Sequence, residues 1–112
     1  MDRQVGQVGM EEGGPEALRR ENDIVLDVVQ ALLGLISSDV IAVAVLVEKH
    51  RVELTFWVRR RTAEIDEDVD QAAFELDALF SEEHPLIESR ITVGEPDSRS
   101  LDSYGRMIYW AK

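Results

Sequence analysis

The chain has 112 residues, the size of one domain, and 45% of them are hydrophobic, enough to build a core without staples. It has no cysteine, which excludes disulfides, thiolate metal sites and cysteine nucleophiles and fits a reducing, cytoplasmic setting. A net charge of -11 disfavours phosphate backbones and anionic membrane surfaces and favours basic proteins or cations as partners, although acidity also serves plain solubility.

Residues 1–14 are rich in glycine and charge, carry little periodic signal, and are expected to form a flexible tail ahead of a single domain over 15–112. Met10 offers a second start besides Met1. No stretch near the N-terminus has the apolar core of a signal peptide, and no apolar run reaches membrane-spanning length. Pro15 suits the first position of a helix, and Leu18, Ile24, Val25, Val28, Val29, Leu32 and Leu35 then recur at helical spacing until Gly34 and the Ser37–Asp39 run end it. Val40–Val47, apolar on both faces, predicts a central strand. After a turn at EKHR, Val52, Leu54, Phe56 and Val58 alternate with Glu53, Thr55 and Trp57, so the two strands should form a hairpin.

A second helix is expected from near Thr62 to before His84-Pro85. LIESRITV alternates again, with Ile87, Ser89, Ile91 and Val93 on one face, and a long polar connection, GEPDSRSLDSYG, leads to a last strand, RMIYWA. The order α-β-β-α-β-β, two helix-hairpin units in succession, predicts an α+β fold: a mainly antiparallel four-stranded sheet with two helices packed on it, its strand order left open.

Catalytic and metal motifs are weak. His50 falls in a turn and His84 before a proline, with nothing to bring either to a serine. DEDVDQAAFELD has the alternating acids of a calcium loop, but Gln71 stands where the loop needs glycine, and the run continues a helix. No catalytic residue, metal ligand or cofactor site is therefore assigned. Lys49, Arg51, Arg59, Arg60 and Arg61 cluster near Trp57, a conceivable stacking site for RNA. The net charge argues against nucleic acid, and pairing of Arg59–Arg61 with the acidic helix that follows is the alternative.

That acidic helix carries the candidate site. EIDEDVDQAAFELDALF, residues 64–80, holds seven acids and no base. At 100° per residue, Ile65, Val69, Ala72, Leu76, Leu79 and Phe80 share one stripe, with Ala73 at its edge, and should face the core. Phe74 projects from the opposite side among Asp70, Gln71, Asp77 and Ala78, with Glu67 a turn back. The helix dipole accounts for Glu64, Asp66 and Glu67, but not for Asp70, Glu75 and Asp77, which also lack lysines four residues away. Glu67, Asp70, Gln71, Phe74, Glu75 and Asp77 are thus expected to engage a basic partner, unless the tail or the other helix covers Phe74.

In size, acidity, lack of cysteine, α+β layout and the run DEDVDQAAFELD, the chain resembles the small acidic immunity proteins of bacterial polymorphic-toxin and contact-dependent inhibition systems. The resemblance implies a cytoplasmic, non-enzymatic protein that binds a cognate toxin or effector, often a basic nuclease, and blocks its active site or substrate groove. The chain is also similar to type III secretion chaperones, which implies a dimer holding an effector segment; these typically add a third strand after the first helix and a closing helix, where this chain reaches Lys112 in a predicted strand. A small enzyme or an RNA-binding module are further alternatives. The alternation also turns Trp57, and Tyr109 or Trp110, away from a single core layer, so a homodimer through the outer sheet face (Trp57, Trp110) is expected unless a helix covers that face.

Overall fold

The computed structural model describes residues 14–80 and 83–111; residues 1–13, most of the expected tail, lie outside the described residues. Helix α1 spans Gly14–Leu32, and strands β1 (Val40–Val47) and β2 (Arg51–Val58) follow. Helix α2 (Ala63–Leu79) leads to β3 (Leu86–Val93), a 3-10 helix (Ser98–Tyr104) and β4 (Arg106–Trp110). The fold is α+β, with the element order read from the sequence and a four-stranded mixed sheet of order β3-β2-β1-β4.

The first hairpin forms as its alternation requires, with Val43 opposite Phe56 and Val47 opposite Val52. The second expected hairpin does not. β3 pairs in parallel with β2 from Arg51↔Leu86 to Val58↔Val93, with α2 as the crossover, and β4 pairs antiparallel with β1 at the far edge. A strand that leaves one edge and returns at the other needs a long connection, and residues 94–105 supply it.

Both helices pack on one face of the sheet. Ile24, Val28, Ala31 and Leu32 of α1 and Ile65, Val69, Ala72 and Leu76 of α2 meet Val43, Val45, Val52, Leu54, Phe56 and Val58 in one core cluster. Leu79, expected in the α2 stripe, is instead exposed where the helix ends, and Phe80 is half-buried.

The outer face is not bare. The 3-10 helix lies across it: Tyr104 meets Trp57 edge-on at 5.0 Å between ring centroids, and with Met107 it packs over Ile41, Ala42, Ala44 and Trp57. Trp57 is 2% exposed, so the expected outer-face dimer loses one of its two tryptophans to the chain's own connection, while Trp110 stays exposed at the edge. Hydropathy concealed this, because Tyr104 sits in an otherwise polar segment.

Ion pairs tie the periphery together. Arg20 of α1 donates to the Glu83 carboxylate, at 2.9 Å from Nη2, and to the Glu48 and Lys49 carbonyls. Arg106 of β4 reaches Asn22 Oδ1 at 2.7 Å.

Candidate functional site: the outer face of α2

Thr62 starts α2, its hydroxyl accepting the Ile65 amide at 3.1 Å, and the helix ends as the Phe80 amide donates to the Asp77 carbonyl. Between these caps the stripe Ile65-Val69-Ala72-Leu76 is buried against the sheet. That orientation alone decides where the other side chains go. Phe74 points away from the sheet and is 75% exposed, covered by neither α1 nor the sheet. Glu67, Asp70, Gln71, Glu75 and Asp77 are all exposed around it. The residues singled out by the helical geometry therefore do share one surface, an aromatic ring rimmed by carboxylates.

The rim lacks cations in direct contact among the described residues. Among the described residues Glu67, Asp70, Glu75 and Asp77 make no ion pair; the one side-chain bond within the set runs from Gln71 Nε2 to Glu75 Oε2 at 3.0 Å. Several of the arginines are committed to other carboxylates. Arg61 holds Asp66 at the start of α2, Arg60 holds Asp39, and Arg51 and Arg90 serve Glu48, Glu53 and Glu88 on the outer sheet face. The carboxylates along Arg51 push its guanidinium pKa above its ordinary value, the Glu88 hydrogen bond foremost.

The alternative constellations come apart in the fold. The expected RNA-stacking cluster has its ring buried, and its arginines face carboxylates or, for Arg59, the Ser38 carbonyl at 3.0 Å. The calcium-like run is helical throughout, so its acids fan around an axis instead of converging. His50 and His84 are both exposed. Paired carboxylates do meet in a groove between α1 and the end of α2, lined by Asp23, Asp27 and Glu83 and about 440 Å³ in volume. There burial, then the charge of Asp23, pushes the Asp27 carboxyl up, while Arg20 draws Glu83 below its ordinary range.

One feature escaped the sequence reading. Leu18, Leu26 and Val29 of α1, with Leu33 just past its end, form an exposed apolar stripe that ends at an apolar cleft of about 270 Å³ lined by Leu32, Ile36, Ile108 and Tyr109. The signal was present: Leu26 and Leu33 fall outside the core spacing, so α1 is apolar over more than one face.

A family model of the MafI2 immunity protein matches residues 21–112. The chain belongs to the MafI2 immunity protein family. No curated protein matches it. The MafI2 match covers most of α1, the whole sheet and all of α2, and so every candidate residue. It supports the role of an immunity protein of a polymorphic-toxin system, the class that the chain's size, acidity and layout resemble. No helix among the described residues is long and apolar enough to cross a membrane.

Proposed function

We propose that this MafI2 family member neutralises a cognate, basic toxin domain of nuclease type in the cytoplasm, by laying the outer face of α2 against it and without catalysis of its own. One observation carries the choice of surface: Phe74 is 75% exposed within a rim of carboxylates that have no cationic partner among the described residues. Like charges on one helix face repel and weaken it, and a partner's arginines and lysines would offset that cost. Interface energy concentrates in a few buried anchors ringed by polar groups, and Phe74 has that setting, with Glu67, Asp70, Gln71, Glu75 and Asp77 as the rim. A toxin groove that binds a polyanionic substrate has the complementary charge.

The test compares binding with folding. Phe74→Ala should weaken the toxin complex by about 2 kcal/mol or more, read by titration calorimetry. The free domain should change stability by no more than about 0.5 kcal/mol, since an exposed ring contributes little to folding. A variant that unfolds easily, yet binds normally whenever it is folded, would remove α2 as the toxin-facing surface.

A further inference from the structure

The sheet has two edges, and they are built differently. β4 is five residues long, and its pairing with β1 is broken by a register shift at Val43/Ala44. Short and irregular edges are how sheets avoid pairing with other chains. β3 is neither short nor irregular. It is eight residues long, pairs with β2 without a shift over its whole length, and contains neither proline nor lysine.

The hydrogen-bonding phase of β3 is fixed by its ends. The Leu86 amide donates to the His50 carbonyl at 2.9 Å, and the Gly94 amide to the Val58 carbonyl at 2.9 Å. Even-numbered residues therefore turn their backbone groups towards β2, and Ile87, Ser89, Ile91 and Val93 turn theirs to an edge that no strand among the described residues covers. α2 does not seal that edge: a cleft of about 490 Å³ opens between Asp66 and Asp70 on the helix and Ser89 and Ile91 on the strand.

The side chains then select an occupant. Ile87-Glu88-Ser89-Arg90-Ile91 is self-complementary when read against its own reverse. An antiparallel pairing of two β3 strands about Ser89 sets Glu88 opposite Arg90 of the second copy, and Ile87 opposite Ile91. It also pairs the outward amides with outward carbonyls. The neighbouring in-phase registers fail on charge, since one sets Glu88 against Glu88 and the other Arg90 against Arg90. Within one chain Arg51 lies 2.7 Å from Glu88, and Arg90 lies 2.8 Å from Glu53. The pairing extends these contacts into an alternating ladder across both chains. We propose that the open edge of β3 binds a second copy of this chain, giving an isologous dimer with one continuous sheet centred on Ser89. This inference does not rest on the toxin reading of α2, although Asp70 lies beside both surfaces.

Sedimentation equilibrium of the full chain, from micromolar to submillimolar concentration, tests it. The wild type should approach twice the 12.7 kDa of one chain. Glu88→Arg and Arg90→Glu should each weaken the dimer about tenfold or more, because each sets like charges opposite one another twice. An equimolar mixture of those two variants should regain the dimer, since the charges again alternate between unlike chains. Ser89→Pro removes a central outward amide while leaving both ion pairs in place, and an edge strand tolerates proline there. That variant should fold, by its melting curve, and stay monomeric; it decides the matter if the charge variants fail to fold. A wild type that is monomeric throughout the range overturns the proposal, leaving the edge to another partner or to solvent. So does a dimer that Ser89→Pro does not weaken, or one that the mixture of folded charge variants fails to restore.

Discussion

Asp27 and Glu83 lie in one groove, yet their carboxyls are displaced in opposite directions. Burial and then Asp23 raise the Asp27 carboxyl, so the folded chain holds that proton more readily than the unfolded one. Its contribution to stability is therefore present in acid and lost as pH rises through the folded value. Asp27→Asn keeps the shape and removes the charge. It should melt above the parent at neutral pH, and the gap should close once the pH falls below the ordinary aspartate value of 3.8. A gap of constant size would assign the effect to packing. Glu83 carries the other sign: Arg20 lowers its carboxyl, so its contribution is present above the ordinary value of 4.5 and lost as pH falls. Arg20→Ala should cost about 1 kcal/mol at neutral pH, because the pair is part-exposed and screened. In thermal melts that loss should shrink in acid without vanishing, since the bonds from Arg20 to the Glu48 and Lys49 carbonyls do not titrate.

The elements differ in how far local sequence reaches. The α2 stripe and the exposure of Phe74 follow from 100° per residue, and the hairpin β1–β2 follows from alternation and a short turn, so both were legible. The parallel placement of β3 beside β2, the route to β4 and the covering of Trp57 rest on contacts between distant segments, to which periodicity is blind. The hinge of that route is Gly105. Its φ is 95°, and a Cβ there would clash with the Val45 carbonyl oxygen, so the backbone runs too close to β1 for any side chain. Gly105→Ala should destabilise the fold by about 2 kcal/mol or more, by strain together with the clash. Chemical unfolding in a Trp110→Phe background would measure it. Emission from Trp57 should shift to the red in the native baseline if the 3-10 helix lifts away.

At the scale of the whole molecule, the arrangement of charge matters more than its total. Composition announced a net charge of -11 but not its distribution. In the fold Arg51, Arg60, Arg90 and Arg106 sit against carboxylates off α2 and Arg61 against Asp66 in its first turn, which leaves Glu67, Asp70, Glu75 and Asp77 without an ion pair among the described residues. A field concentrated on one face steers a basic partner towards that face, whereas spread charge only raises the general attraction. Two double variants separate these cases. Asp70→Lys with Asp77→Lys reverses charge beside Phe74; Glu16→Lys with Glu95→Lys makes the same change in net charge at exposed positions outside α2. Both pairs leave the buried stripe of α2 intact, so both proteins should fold. Stopped-flow mixing with the toxin domain should show association slowed about tenfold or more by the α2 pair, with a flatter dependence on salt. The other pair should slow it much less. Equal slowing by both would mean that the acidity acts as a diffuse field, and the α2 face would then rest on Phe74 alone.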